Sequence, residues 1–440
     1  MKTFLTYFLA LGVFLLLGDD LLAQAVKITA EIRPRYEFRH GFKTPFPDGA
    51  RPANFVSQRT RLNAYFSNNI FSAYVSLQDV RVWGDVNQLN IQDVNGFGVH
   101  EAWGEVNLCD LLSLKVGRQE VVYDDQRIFG AVGWAQQARS HDAMVFKLHI
   151  KENHNMDVGI AYSAMGESLT RMDYTNNNYK TMQWLYYHGS FEKSGLSILF
   201  LNNGIAYDSD PDPDITDEKI SYSQTVGARY NIGIKKIKAD AAFYYQGGKN
   251  GVNRDLSATY FSANITFQAT KVFNVGIGTE YLSGTSSAAQ VQVDQTDRSF
   301  TPFYGTNHKF NGLMDYFYVG NYAGQNGLVD LYIPLVFKVS KWTFELRPHY
   351  FLSAATVSSL DESNQPLADY SNNLGAELDL TISYPISNSV NIAGGYSQMF
   401  ASETMQVVKY PDDPGGAYYK NTNNWAWIMI TFKPTLFNKE

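Results

Sequence analysis

From Val26 onward the chain alternates. Its even positions are Val26, Ile28, Ala30, Ile32, Pro34, Tyr36 and Phe38, and its odd ones Lys27, Thr29, Glu31, Arg33, Arg35, Glu37 and Arg39. A period of two puts these sets on opposite faces of one strand, one suited to hydrocarbon and one to water. The dyad returns at Phe344, Leu346, Pro348 and Tyr350 against Thr343, Glu345, Arg347 and His349, and at Leu374, Ala376, Leu378, Leu380 and Ile382 against Gly375, Glu377, Asp379, Thr381 and Ser383. A soluble sandwich shares this pattern, and the spacing of the breaks separates the two. Tight turns fall near Ser67-Asn68-Asn69, Cys109-Asp110, Asn153-His154-Asn155, Lys193-Ser194-Gly195, Ile232-Gly233, Thr270-Lys271, Ser340-Lys341 and Ser387-Asn388. Between them lie nine longer segments, at 41–55, 85–96, 123–140, 166–178, 208–219, 247–255, 283–326, 355–372 and 402–421. Eight short and nine long connections predict about 18 strands with both termini on the short-turn side. The expected fold is all-β: a transmembrane antiparallel β-barrel with short periplasmic turns and long extracellular loops.

Strands of roughly 10 residues account for most of the chain. Strand side chains alone cannot fill so wide a barrel, so an aqueous lumen is expected. The final strand, Asn424 to Phe432, is apolar on both parities, and its orientation stays open. Trp83, Trp103, Trp184, Tyr186 and Tyr187 lie near strand ends, where an interfacial girdle is the expectation.

The N-terminus, Met1-Lys2-Thr3 followed by an apolar run from Phe4 to Leu17, reads as a secretory signal peptide with cleavage after Ala23 or Ala25. Residues 1–24 are assigned to the signal and 25–440 to the barrel. Removing Lys2, Asp19 and Asp20 with the signal changes the net charge from −7 to −6. The single cysteine, Cys109, excludes an intramolecular disulfide and reads as a turn residue. The eight histidines show no metal spacing, and no Ser, His and Asp trio can be argued from the sequence. No catalytic residue, metal or cofactor is expected.

Arginine is unevenly placed. Ten of fifteen precede residue 150, at 33, 35, 39, 51, 59, 61, 81, 118, 127 and 139. Arg33, Arg35 and Arg39 share the polar parity of the first strand, and Arg59 and Arg61 that of the second. Adjacent antiparallel strands therefore set five guanidiniums on one wall of the lumen. Guanidinium is weakly hydrated, always charged and bidentate toward carboxylate or phosphate, so such a wall eases the passage of anions. The competing reading is a salt-laced interior in which these arginines neutralise Glu31, Glu37, Asp79, Glu101 and Glu105 without selectivity.

The run Val116-Gly117-Arg118-Gln119-Glu120, followed by Tyr123, Asp125, Gln126, Arg127, Gly130, Trp134, Gln136, Arg139, Asp142 and Ala143, resembles the signature of the alginate export family of outer-membrane porins. Asp79-Val80-Arg81-Val82-Trp83-Gly84, Pro302-Phe303-Tyr304, His308-Lys309-Phe310, Gly312 and Asp315 extend the resemblance. It implies an 18-stranded barrel with an electropositive pore that conducts an anionic polysaccharide such as alginate, with roles carried onto Arg59, Arg61, Arg81, Arg118, Arg127 and Arg139. The pore-lining, anion-binding set expected overall is Arg33, Arg35, Arg59, Arg61, Arg81, Arg118, Arg127 and Arg139. A general or oligosaccharide porin is the alternative function, and a barrel enzyme a more distant one.

The acidic residues Asp208, Asp210, Asp212, Asp214, Asp217 and Glu218 lack the calcium-loop spacing and read as a solvated external loop. The longest loop, 283–326, either folds inward to constrict the pore or lies outside as a lid. Expected partners are outer-membrane lipid and lipopolysaccharide, with anionic saccharides or small anions as solute. Nothing points to nucleic acid, no periplasmic partner can be named, and the expected location is the outer membrane of a Gram-negative bacterium.

Overall fold

The alternation becomes a closed ring of strands in the computed structural model, which describes residues 25–439 except 90–95, 177, 211–216, 293, 307, 318–324, 362 and 414. The first nine are β1 (Ala25–His40), β2 (Ala53–Ser67), β3 (Phe71–Val82), β4 (Gly98–Cys109), β5 (Leu112–Gln119), β6 (His141–Lys151), β7 (His154–Tyr162), β8 (Tyr179–Ser190) and β9 (Ser194–Asp208). The second nine are β10 (Glu218–Ile234), β11 (Ile237–Lys249), β12 (Asp255–Gln268), β13 (Phe273–Leu282), β14 (Leu328–Tyr332 and Leu335–Val339), β15 (Trp342–Leu352), β16 (Asn373–Ser387), β17 (Val390–Ala401) and β18 (Asn423–Phe432 and Thr435–Lys439). Each strand pairs antiparallel with its sequence neighbours, and β1 closes on β18 with Val26 opposite Lys439 and Tyr36 opposite Ile428. A sheet without an edge satisfies its backbone groups internally, the condition for lying in hydrocarbon.

The two split strands break at Pro334 and Pro434, where proline brings no N–H to the ladder. Their carbonyls still take part: Gly276 N–H donates to Pro334 O at 2.9 Å and Ala30 N–H to Pro434 O at 3.1 Å. The last strand therefore runs past the expected end at Phe432. Its orientation is also settled, with Trp425 fully buried in the interior and Ile428 exposed outside.

Eight connections have two to four residues, and nine run from five (250–254) to 45 (283–327), with both described termini on the short side. The signal-peptide assignment, and Asp212 and Asp214 of the acidic loop, lie outside the described residues. Outside the ring, Ile32, Tyr36, Phe243, Ile277 and Ile428 form part of an apolar band exposed in the isolated chain, which lipid would cover. The expected girdle is only partly present. Trp83 is exposed at the long-loop end and Tyr187 keeps the outward parity of its partner Ile198. Trp103, Trp184 and Tyr186 instead turn inward. Trp184 Nε1 donates to Tyr123 at 3.0 Å, Tyr186 stacks on Tyr123 at 3.9 Å, and Trp103 Nε1 donates to Glu101 at 3.1 Å.

The buried apolar cluster sits inside the ring. Phe129, Tyr304 and Met314 come from two long loops and pack on Trp184, Tyr260 and Trp425 of the strands. The lumen that strand side chains cannot fill is thus partly filled by the loop 120–140 and the described residues of 283–327.

Candidate functional site

The register of β1 on β2 sets Arg33 opposite Arg59 and Glu31 opposite Arg61. Like charges this close need carboxylates between them. Arg59 holds Glu31 through Nε and Nη2 at 3.1 and 2.6 Å, and Glu37 takes Arg35 and Arg39, each at 2.9 Å. Five arginines against these two glutamates leave positive charge over, and the loop 120–140 answers it with carbonyl oxygens. Arg33 donates to Gly133 O at 2.7 Å, to Trp134 O at 3.2 Å and to Gln136 Oε1 at 2.8 Å, while Arg35 donates to Trp134 O at 2.6 Å. The Trp134 ring covers the Arg35 guanidinium at 3.9 Å. Arg33, Arg35 and Arg59 are consequently buried, and they seat a loop against the wall instead of lining open water. Arg61 donates to Gln78 at 3.0 Å and lies 3.9 Å from Glu120.

That loop meets the second one in the lumen. Gly130 N–H donates to Tyr304 O at 2.9 Å, Tyr304 N–H to Ile128 O at 3.1 Å and Thr306 N–H to Gln126 O at 2.8 Å. Arg139 Nη1 reaches Gly305 O at 3.2 Å. A Cβ on Gly305 would stand 2.1 Å from Arg127 O, so this contact needs glycine. Arg127, 1% exposed, then fastens the clasp to the barrel: Nη2 lies 2.9 Å from Glu280 on β13 and 2.9 Å from Asn311 Oδ1, with Phe310 at 4.6 Å from its guanidinium carbon. On the other side Tyr123 donates to Asp157 at 2.8 Å, and Asp124 accepts from Tyr186 at 2.8 Å and Ser197 at 2.5 Å. Burial pushes the Asp124 carboxyl up, and those two hydrogen bonds oppose the rise.

The tip of the longer loop is held by carboxylates of the wall. Met314 N–H donates to Glu377 at 2.8 Å, Leu313 N–H to Asp379 at 3.1 Å, and Asn311 Nδ2 to Glu280 at 2.9 Å. Gly312 turns there with φ +84°, where a Cβ would approach Glu377 Oε2 to 2.6 Å. Of the two placements open for loop 283–326, the described part takes the inward one.

The segment 308–315 forms a strap between two cavities. One of about 560 Å³ opens among Arg35, Arg39, Lys43, Arg81, Trp134 and Asp315, toward the long loops. The other, about 530 Å³, lies toward the short turns against β10 to β16. Its lining carries the carboxylates Asp125, Asp240, Glu280, Asp330, Glu345 and Asp379 and the cations Arg229, Lys309 and Arg347. Arg229 clamps Asp125 and Asp240, Arg347 pairs with Glu345, and His349 lies 2.8 Å from Asp330 and 3.7 Å from Asp379. The interior is therefore polarised, basic along β1 and β2 and acidic along β10 to β16.

The eight expected arginines thus divide. Arg33, Arg35, Arg59 and Arg61 share one wall, and Arg127 and Arg139 belong to the clasp. Arg81 departs from the expectation of a lumenal residue: it continues the outward row of Leu77 and Val75, chelates Asp79 through two 2.7 Å contacts and borders the upper cavity only at its rim. Arg118 corrects the expectation of a lumenal residue. It sits in the ladder opposite Ala102 and Asp142, on the outward row of Val116 and Leu114, and pairs with exposed Asp142 at 2.9 Å.

A further cluster escaped sequence reasoning because Glu120 lies 20 residues from His100 and is brought to the adjacent His100 and Glu101 by the fold. A bulge between Ser76 and Leu77 leaves His100 without a ladder partner, beside Glu101. Donor atoms of His100, Glu101 and Glu120 lie within 4.8 Å of one another. They already engage each other, with His100 Nε2 at 2.8 Å from Glu120 and the Arg61 guanidinium alongside.

Comparison with known proteins places this architecture. A sequence model of the family described as alginate export matches residues 24–409. Among solved structures, a BenF-like porin from Pseudomonas fluorescens Pf-5 aligns with TM-score 0.60 at 12% identity, over 93% of this chain and 99% of that one. OpdL of Pseudomonas aeruginosa aligns with TM-score 0.60 at 11% identity, over 94% and 99%. OpdK of Pseudomonas aeruginosa, solved with vanillate, aligns with TM-score 0.58 at 9% identity, over 93% and 98%. At such identities the likeness is one of fold. No curated protein matches the sequence.

Proposed function

We propose, from the premise that the chain belongs to the alginate export family, that this outer-membrane channel passes anionic solutes, and sugar acids in particular. The polarised lumen is the observation that carries this reading. A sugar acid presents a carboxylate on one side and hydroxyls around the rest of its ring. The carboxylate suits the guanidiniums of Arg39 and Arg61, while hydroxyls can donate to the carboxylates of β10 to β16. Two cavities of about 530 and 560 Å³ on either side of a strap fit one or two sugar units at a time, so a polymer would thread in extended form. A small aromatic acid such as the vanillate solved with OpdK shares the carboxylate but not the hydroxyl pattern. The location is the outer membrane of a Gram-negative bacterium, reached with the help of the N-terminal signal. On the outer face, the exposed Arg118–Asp142 pair at the long-loop end of the strands stands where lipopolysaccharide headgroups lie. The reading assigns transport to this chain, without catalysis or cofactor.

The test is conductance of the purified protein in planar bilayers, with reversal potentials under a salt gradient. Anion selectivity, and block by uronic-acid oligomers at concentrations where neutral oligomers of equal length do not block, is the expected result. Cation selectivity, or equal block by both oligomers, would overturn it.

A further inference from the structure

Resting on the anion-channel reading, the geometry points to Lys309 as the residue that decides which sign of charge crosses the strap between the two cavities. Three cations line the lower cavity. Arg229 is shared between Asp125 and Asp240, and Arg347 pairs with Glu345. Among the described residues the Lys309 ammonium has neither an ion pair nor a hydrogen bond, and the Phe310 ring lies 5.0 Å from it. Its neighbours on the strap face opposite ways, His308 and Asp315 bordering the upper cavity and Phe310 and Asn311 the lower. On this proposal a solute leaving one cavity for the other passes this segment.

The surroundings explain why one ammonium matters. Six carboxylates against three cations make the lower cavity a poor place for an anion, and pairing leaves Lys309 as the cation whose charge no single acid there takes up. Nearby Asp125 and Glu280 favour the charged ammonium, while burial pulls its pKa down. An ammonium kept partly dry and unpaired can take a passing carboxylate as its partner without first breaking a salt bridge. Arg33, Arg35 and Arg59 cannot do this, because loop carbonyls and glutamates hold them. Among the described residues Lys309 also makes none of the contacts that join the two loops, so its removal leaves the clasp in place.

Lys309→Gln, Lys309→Glu and the outward-facing control Arg118→Gln are to be compared with wild type by reversal potential in a potassium chloride gradient. Contact attraction of ~1 kcal/mol at about 4 Å in water corresponds to about a fivefold fall in the chloride-to-potassium permeability ratio for Lys309→Gln. The ratio should invert for Lys309→Glu and stay unchanged for Arg118→Gln. An anion-selective wild type with an unaltered Lys309→Gln ratio would sink the assignment of Lys309 and leave the channel reading standing. A cation-selective wild type whose ratio still moves with both Lys309 variants would sink the anion reading while keeping Lys309 as the charge at the strap. A wild type without conductance would overturn both.

Discussion

Replacing Arg127 by Met removes the one guanidinium that ties both inward loops to the barrel wall through Glu280, while leaving every strand ladder intact. Arg127 and Glu280 are both nearly inaccessible, with side chains 1% and 5% exposed and 2.9 Å apart. Stripping the cation from a buried pair costs about 3–5 kcal/mol, chiefly because the carboxylate is left behind. Glu280 keeps Tyr260 OH at 3.0 Å and Asn311 Nδ2 at 2.9 Å as neutral donors. These put the loss at the low end, about 3 kcal/mol, which is a factor of roughly 150 on the balance between seated and unseated loops. The penalty falls on the clasp because nothing in the ladder changes. Single-channel recordings of Arg127→Met should therefore show higher and noisier conductance, and trypsin should cut at Arg139 and Lys309 well before it cuts wild type. Resistance of the barrel to unfolding in warm detergent should persist. Adding Glu280→Gln removes the stranded charge and should restore quiet conductance and protease resistance. A single variant indistinguishable from wild type, or a double variant as disturbed as the single, would refute the view that this pair seats the loops.

Two further outcomes follow from the loop geometry. Gly312→Ala sets a Cβ on a residue with φ +84° and 2.6 Å from Glu377 Oε2; a loss of about 1–3 kcal/mol in the strap should appear as faster hydrogen exchange at Leu313 and Met314, with the ladder amides unchanged. Lys409 closes the external helix Glu403–Lys409, donates to Tyr316 O, and is lowered by burial to about 7 from its ordinary 10.5. A depressed lysine is stabilising when neutral, so packing of this helix on the loop should be tightest above pH 10 and weaken as pH falls toward 7, with no further loss below. Exchange at Met405 to Val407 measured at pH 6 and pH 9 checks this, and Lys409→Met should flatten the difference.

The ring of strands was legible because a period of two is a local property: each strand declares its two faces, and the turns between them declare the count. The interior was less legible, since parity says which way a side chain points and not what comes to meet it. Arg33 and Arg35 have lumenal parity, but the carbonyls of Gly133 and Trp134 that bury them come from about a hundred residues away. Arg118 is the opposite case. Its outward direction could be read from Leu114 and Val116 on the same row, and the motif around it pulled the reading inward. That motif has a structural meaning of its own. Arg127, Gly130, Trp134, Gln136 and Arg139 form one half of the clasp, and Tyr304, His308, Phe310, Gly312 and Asp315 form the other. Trp134 stacks on His308 at 4.2 Å, and His308 pairs with Asp315 at 2.8 Å. The residues that carry the family resemblance are therefore mostly those that bring two loops together across a wide barrel. Such residues specify that the lumen is narrowed and where, through contacts that face protein. On the proposal made for Lys309, choice of solute falls instead to side chains that the clasp presents to the cavities without using them, and the Lys309 variants test that separation directly.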